Sequence, residues 1–263
     1  MRYLVADRIS EISAAVGNDL AKEQFQGFFC AFLQDKESEV RTAACRRLSD
    51  FCLLLDAQTI VTHMIPLIKN LQTDQFQYVR QALSENLLPI APKIGKNATN
   101  DHILPIFLAL LRDESSDVRL NLFKRIESLN KVIGIENLSQ SIIPALTELS
   151  QDKNWRIKLS VIQQFPVLAE QLGEAFFNEK LTPICITWLQ DNIFTIREEA
   201  IVNIKRLVEI FGPQWATRNC ISKLTSLHLD SRYLHRMTPL FALSTLASVL
   251  PPEEIKKSFV PVL

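Results

Sequence analysis

The sequence has few of the residues and motifs that mark enzymes and metal proteins. Only six glycines occur, and they form no glycine-rich loop that would cradle a phosphate group. There is no Gly-x-Ser-x-Gly nucleophile motif, and the four histidines, His63, His102, His228 and His235, are too scattered to hold a metal ion. We therefore expect a protein without a catalytic site, a metal or a cofactor.

An excess of charge of one sign and long apolar runs are also missing. Lys and Arg total 29 and Asp and Glu total 29, so the formal net charge is zero. Nucleic-acid phosphates and anionic membrane surfaces attract basic proteins, and a membrane-spanning helix needs about 20 consecutive apolar residues. We expect neither nucleic-acid binding nor membrane insertion.

The cysteines are few and contain no Cys-x-x-Cys pair. Their odd number, five, is typical of a protein from a reducing compartment. The expected location is cytoplasmic, with the nucleus left open as a second compartment. We predict buried structural thiols, without a redox or metal role, at Cys30, Cys45, Cys52, Cys185 and Cys220.

What the sequence does contain is a motif that returns every 39 residues, first as Asp35-Lys-Glu-Ser-Glu-Val-Arg41. An aspartate opens each copy: Asp35, Asp74, Asp113, Asp152, Asp191 and Asp230. A basic residue closes each copy: Arg41, Arg80, Arg119, Lys158, Arg197 and Arg236. Prolines and glycines keep the same period: Pro66, Pro105, Pro144, Pro183 and Pro261, and Gly17, Gly95, Gly134, Gly173 and Gly212. A period near 40 residues indicates a stacked repeat array.

Each period contains two helical patterns, which predicts an all-α fold. The proline lies in the first helix, where it removes a hydrogen bond and forces a bend, and the glycine ends the second helix in a left-handed C-cap conformation. We predict one continuous solenoid with about six full repeats and a half repeat at each end. The predicted repeats are 1–17 (partial), 18–56, 57–95, 96–134, 135–173, 174–212, 213–251 and 252–263 (partial).

The motif is predicted to lie at the turn between the two helices. Its aspartate can accept hydrogen bonds from the backbone or from arginine, and its basic residue falls in the first turn of the second helix. Pairing of the two, within a repeat or between neighbouring repeats, predicts a structural ladder, with a charged docking ridge as the alternative. The predicted ladder residues are Asp35, Arg41, Asp74, Arg80, Asp113, Arg119, Asp152, Asp191, Arg197 and Asp230.

Paired helices with an in-register proline, a turn aspartate and a following arginine resemble HEAT repeats. Longer strings, such as Asp152-Lys-Asn-Trp-Arg-Ile-Lys-Leu159 and Tyr233-Leu-His-Arg-Met-Thr238, are similar to the A-type scaffolding subunits of type 2A serine/threonine protein phosphatases. The resemblance implies a right-handed α-α superhelix without enzymatic activity. It also implies that late repeats bind a phosphatase catalytic subunit through their turns, and that earlier repeats bind an exchangeable regulatory subunit.

Carried over residue by residue, the resemblance places the catalytic-subunit site on the last three turns. Its residues are Trp155, Arg156, Phe194, Tyr233 and Arg236. The family usually has tyrosine where this chain has phenylalanine at 194. Aromatic side chains beside arginine on a turn are also the usual chemistry of an interface hot spot, although the rings could instead cover the ends of their own helices.

The regulatory subunit is assigned to the first three turns. The resemblance places it at residues 35–40, 74–79 and 113–118, where we name Glu37 and Glu114.

Two other functions fit the same pattern. One is a different HEAT-repeat adaptor, such as a transport receptor that binds cargo in its groove. The other is a truncated scaffold paralogue with impaired partner binding, because the sequence begins and stops inside repeats and neither end has a polar cap. Uncapped apolar end faces are expected to make the isolated chain self-associate.

Overall fold

The computed structural model describes residues 1–17, 21–123, 126–134 and 138–262. Every regular element within these ranges is helical and no β-strand occurs in them, which confirms the all-α prediction. The chain divides into two compact units, Met1–Ala145 and Leu146–Leu263. The boundaries predicted at residues 18 and 135 fall outside the described residues, and the uninterrupted array of six repeats stays a prediction.

The first unit is built from short helical segments. Its α-helices are Arg2–Val16, Gln26–Leu33, Ser38–Arg46, Leu48–Leu53, Ala57–Thr59, Ile65–Leu71, Gln77–Asn86, Ala91–Ala98, Leu104–Leu110, Ser116–Phe123 and Ile126–Ile133. Single π-helical turns occur at Ala21–Phe25, Ile60–Met64, Thr99–Ile103 and Leu138–Ile142, and a 3-10 turn at Leu88–Ile90. The helix Ile143–Leu149 contains the boundary between the units.

The second unit has longer helices. Its α-helices are Trp155–Leu172, Glu174–Lys180, Thr182–Trp188, Phe194–Phe211, Pro213–Ala216, Ser222–Ser226, Tyr233–Arg236, Thr238–Leu246 and Pro252–Ser258. A π-helical turn occurs at Thr217–Ile221, and 3-10 turns occur at Leu227–Leu229 and Val260–Val262. Within the unit, Trp155–Leu172 packs against Phe194–Phe211, which packs in turn against Thr238–Leu246.

The core of each unit lies between the stacked helices. Its apolar residues recur with the same period as the motif. The residue before the basic position is apolar in the first five copies, because it faces the neighbouring second helix. These residues are all buried: Val40, Val79, Val118, Ile157 and Ile196. Burying a side chain of this size contributes about 1.5–3 kcal/mol, so each copy of the motif also contributes to the core.

The helical hydrogen bonding is interrupted near the position that proline occupies in most repeats, although proline is not the only cause. The π-helical turn Ile60–Met64 directly precedes the helix in which Pro66 is the second residue. A proline nitrogen cannot donate to the preceding turn, and a π-helical turn accommodates the missing bond. The same turn nevertheless precedes Gly27 and Ser222, which occupy the proline register in their repeats.

The backbone conformation of the glycines that recur every 39 residues differs from the sequence prediction. The φ angles are positive, as expected, but Gly95 has ψ 173° and Gly212 has ψ 162°, far from the left-handed helical value. This extended region with positive φ is open almost only to glycine. It reverses the chain within one residue, so that Gly212 ends the helix Phe194–Phe211 and begins the helix Pro213–Ala216. The predicted left-handed C-cap was therefore wrong.

Candidate protein-binding turns

All six motif aspartates fold their own turn in the same way. In each copy, Oδ1 of the aspartate accepts a hydrogen bond from the backbone N–H two residues later, over 2.7–3.0 Å. This local bond stops the first helix and directs the chain into the second. The donors are the backbone nitrogens of Glu37, Phe76, Ser115, Asn154, Ile193 and Arg232.

The motif arginines fix the same turn from its other side. Nη1 of Arg41 donates to the carbonyl oxygen of Asp35 over 2.7 Å, and Nη1 of Arg80 donates to that of Asp74 over 2.7 Å. Equivalent bonds join Arg119 to Asp113, Arg197 to Asp191 and Arg236 to Asp230. Because the bond is made to the backbone, the aspartate carboxylate stays available to another partner.

That partner is the basic residue of the preceding repeat. Arg41 binds both carboxylate oxygens of Asp74, with Nε to Oδ2 at 2.7 Å and Nη2 to Oδ1 at 3.0 Å. Arg80 binds Asp113 in the same way, at 2.6 and 3.0 Å, and its hydrogen bond to this carboxylate raises the pKa of the guanidinium. The Arg80 and Asp113 side chains are only 7% and 6% exposed. Bidentate pairing at this burial gives a geometrically specific link between repeats.

In the second unit, one ion pair between neighbouring repeats follows this pattern and the next does not. Lys158 contacts the carboxylate of Asp191, as a lysine in the arginine register. Asp230, which would receive Arg197, is instead 3.1 Å from Nδ1 of His235. His235 occupies the register position that is apolar in the first five copies, and it is buried. The Asp230 pKa is lowered, first by the hydrogen bond from the Arg232 backbone and then by that from His235.

The structure places a large aromatic residue and an arginine together on each of the last three turns. The Arg156 guanidinium lies 4.8 Å from the centre of the Trp155 ring. Arg197 and Arg236 lie 5.7 Å from the rings of Phe194 and Tyr233, respectively. Arginine beside an aromatic face is stabilised by the ring quadrupole, and the pair offers a partner both apolar area and donors.

The three rings differ in how far they are covered. Tyr233 is 63% exposed, and Phe194 is 46% exposed while also meeting Phe241 edge to face at 5.5 Å. Phe241 belongs to the next repeat and was not anticipated from the sequence. Its partial exposure extends the apolar surface beside Phe194.

Trp155 differs from the other two tryptophans. Trp188 and Trp215 are buried, and their indole N–H groups donate to the Ser150 carbonyl at 3.2 Å and to Oδ1 of Asn178 at 2.6 Å. Trp155 is only partly buried, and within the described chain its indole N–H has no protein partner. A buried tryptophan normally satisfies this donor within the protein, whereas the partly exposed Trp155 leaves its N–H available to water or to another protein.

The turns of the first unit present a different surface. Glu37 is exposed at the start of the helix Ser38–Arg46, and its carboxylate has no partner in the described structure. Glu114 is 86% exposed but already pairs with Nη2 of Arg80 at 3.0 Å. Phe76 and Tyr78 are also exposed, and Phe76 lies 5.7 Å from the Arg41 guanidinium of the preceding repeat.

The described residues hold no cluster of three or more histidine, cysteine, aspartate or glutamate side chains that could bind a metal ion. Cys45, Cys52, Cys185 and Cys220 are buried, and Cys30 is partly buried, all as free thiols. Burial raises the pKa of Cys45, Cys52 and Cys220 to about 12. Across the described chain, no helix combines the length and the apolar character that crossing a bilayer requires.

Two family models match the chain. The model of the PPP2R1A-like HEAT repeat matches residues 18–95, and that of the PIK3R4-like middle domain matches residues 96–228, just over half of the chain. The A-type regulatory subunit of protein phosphatase PP2A from Pisum sativum is 48% identical over 52 residues, covering 19% of this chain and 13% of the relative. The beta isoform of the 65 kDa A-type regulatory subunit of serine/threonine-protein phosphatase 2A from Homo sapiens is 40% identical over 96 residues, covering 35% and 16%.

Solved structures agree on the fold. Kap121p bound to RanGTP aligns with a TM-score of 0.62 at 16% identity, over 98% of this chain and 26% of that one. A designed armadillo repeat protein aligns with a TM-score of 0.50 at 16% identity, over 83% of this chain and 98% of that one. These likenesses establish a solenoid of helical repeats. The chain therefore belongs to the family of the PIK3R4-like middle domain, whose model matches just over half of it, and its residues 18–95 are a HEAT-repeat segment similar to the A-type regulatory subunit of protein phosphatase 2A.

Proposed function

We propose that this HEAT-repeat scaffold binds the catalytic subunit of a type 2A protein phosphatase through the last three turns and a regulatory subunit through the first three. The matched regions are 13% and 16% of the length of the two relatives, so the partners are inferred by analogy with them. The proposed role is non-catalytic and cytoplasmic, with a second, nuclear location left open. Holding both partners on one chain raises the effective concentration of each for the other.

The observation that carries the proposal is the environment of Trp155. Its ring is partly exposed, its indole N–H is free in the described chain, and Arg156 covers one face at 4.8 Å. Large aromatic residues and arginine dominate the binding energy of interfaces, at about 2–4 kcal/mol for a central residue. Phe194, Tyr233 and Arg236 continue this surface on the following turns.

The test is capture of separately purified catalytic and regulatory subunits by the immobilised chain. Trp155→Ala is expected to lower capture of the catalytic subunit, whereas capture of the regulatory subunit stays unchanged. Phe76→Ala is the matched control, because it also removes a partly exposed turn aromatic that lies beside an arginine. Equal loss of catalytic-subunit capture in both variants would contradict the assignment to the late turns.

For the regulatory subunit, Glu37→Ala is the cleaner variant. Glu114 pairs with Arg80, so its removal also disturbs the link between repeats, whereas the Glu37 carboxylate has no partner in the described structure. Reduced capture of the regulatory subunit with unchanged capture of the catalytic subunit is the expected result. Unchanged capture of both subunits would remove Glu37 from the proposed site.

A further inference from the structure

Arg197 is a buried arginine without the aspartate partner that Arg41 and Arg80 have at the same position of their repeats. The residue is 4% exposed, and its Nη1 donates to the carbonyl oxygen of Asp191 over 2.7 Å. Within the described chain, no carboxylate oxygen lies within 4.0 Å of its nitrogens. Arg41 and Arg80 each bind an aspartate of the following repeat through Nε and Nη2.

His235 is the reason for this difference. The corresponding aspartate, Asp230, uses Oδ1 for the backbone N–H of Arg232 at 2.8 Å and Oδ2 for Nδ1 of His235 at 3.1 Å. In the first five copies the residue in the His235 register is valine or isoleucine, which cannot compete for the carboxylate. The histidine therefore keeps Asp230 within its own turn.

The two other guanidinium nitrogens of Arg197 are unused, and neither is completely enclosed. Nε and Nη2 have no hydrogen-bond partner in the described structure, and neither belongs to the fully enclosed polar atoms without a partner. A guanidinium so close to full burial and without a carboxylate partner is costly, so an incoming anion gains more there than at an exposed arginine. The planar fork selects a carboxylate, as the Arg41–Asp74 and Arg80–Asp113 pairs illustrate.

The residues around Nε and Nη2 of Arg197 favour a carboxylate that belongs to a protein. Phe194 is 46% exposed, lies 5.7 Å from the Arg197 guanidinium and contacts Phe241. Tyr233, on the next turn, is 63% exposed. An apolar ring beside a nearly buried charge is typical of an interface hot spot, because it helps to exclude water from an ion pair.

We propose that Nε and Nη2 of Arg197 bind an aspartate or glutamate side chain of the protein that docks on the turns of Phe194 and Tyr233. The partner carboxylate takes the place that Asp74 takes against Arg41. The identity of that protein rests on the proposed function, whereas the capacity of Arg197 to bind a carboxylate does not.

The first test uses a small carboxylate and no partner protein. The Nε–H resonances of the isotope-labelled chain are followed by NMR while N-acetylglutamate amide is added, with sodium chloride at equal ionic strength as the control. A saturable shift is expected at Arg197, and none at Arg80, whose fork is filled by Asp113. Equal responses at both arginines, or none at Arg197, would overturn the proposal.

The second test closes the site without touching Arg197. His235→Val restores the register residue of the other repeats and releases Asp230 to pair with Arg197. The variant is expected to lose the N-acetylglutamate response and to melt at a higher temperature than the parent chain. Retention of the response in a folded His235→Val chain would show that Asp230 and Arg197 do not compete, and would overturn the proposal. Arg197→Met identifies the resonance, and circular dichroism checks its fold.

Capture of the catalytic subunit separates this inference from the proposed function. If the site binds N-acetylglutamate amide and the chain captures no catalytic subunit, the site stands and the proposed partner is wrong. If the parent and His235→Val chains capture the subunit equally, the function stands and Arg197 is not the anchor. Loss of capture in His235→Val, in parallel with loss of the NMR response, supports both.

Discussion

Nε of Arg80 lies 2.6 Å from Oδ2 of Asp113, and both side chains are almost completely buried. The same arginine donates to the carbonyl oxygen of Asp74 in its own repeat, so one guanidinium joins two successive turns. This arrangement fixes the spacing of neighbouring turns and therefore the spacing of the residues that the turns present to a partner.

Replacing Arg80 by methionine is expected to destabilise the first unit by roughly 3–5 kcal/mol, because it leaves the carboxylate of Asp113 buried and without its ionic partner. Urea unfolding followed by circular dichroism measures the change. Arg8→Met is the matched control, because Arg8 pairs with Glu11 at the surface and an exposed ion pair contributes little. Similar losses in the two variants would contradict the structural role of the Arg80 pair.

Gly212→Ala is expected to cost about 1–3 kcal/mol, since its φ of 87° with ψ 162° is accessible almost only to glycine. The cost is conformational, because the nearest atom to an added Cβ is Oε1 of Gln214 at 3.6 Å. Gly27→Ala is the control. Gly27 lies in the helix Gln26–Leu33 with open space around it, so alanine there is expected to stabilise by up to about 1 kcal/mol. Thermal unfolding of both variants checks the difference in sign.

The period of 39 residues was enough to predict an all-α fold, the position of the motif at a turn between helices, and glycines at helix ends. It did not predict the conformation of those glycines, because the left-handed cap and the extended positive-φ region both require glycine. It also did not predict the π-helical turns, which occur before Gly27 and Ser222 as well as before Pro66. Those turns depend on how each helix packs, and no single residue type encodes them.

The pKa of Asp56 gives a pH dependence with a defined sign. Lys22, then the backbone N–H and the hydroxyl group of Thr59, donate to its carboxylate and hold its pKa well below the ordinary value. A lowered pKa in the folded state means that the stabilisation is complete above the unfolded value of about 3.9 and is lost as the pH falls below it.

Asp56→Asn is therefore expected to lower the urea midpoint of unfolding by a constant amount between about pH 5 and pH 8. The difference from the parent chain should shrink below about pH 4, where the aspartate becomes protonated in the unfolded state. A difference that stays constant down to about pH 2 would contradict the role of the charged carboxylate.

The thiols should be unreactive in the folded chain. Burial raises the pKa of Cys45, Cys52 and Cys220 to about 12 and that of Cys185 well above its ordinary value, so almost no thiolate exists at about pH 8. Alkylation by iodoacetamide, followed by peptide mass spectrometry, is expected to modify the partly buried Cys30 first. Rapid native-state modification of Cys45 would contradict its burial.

The candidate site could be predicted from the sequence only in part. The resemblance identified Trp155, Phe194 and Tyr233, and the structure places each beside an arginine. Phe241 was missed because it joins Phe194 from the next repeat, outside the motif. The sequence does contain the signal for the change at Asp230, since a histidine stands where the earlier copies have valine or isoleucine, but its effect on Arg197 depends on hydrogen-bond geometry.

The most direct test of the scaffold role is the affinity of the chain for the phosphatase catalytic subunit, measured by isothermal titration for the parent and for Trp155→Ala. We predict measurable binding that weakens by about 2 kcal/mol or more, roughly 30-fold, in Trp155→Ala, while the helix content and the melting temperature stay unchanged. A lower melting temperature with unchanged affinity would make Trp155 a packing residue, and would contradict the assignment of the late turns as the binding surface.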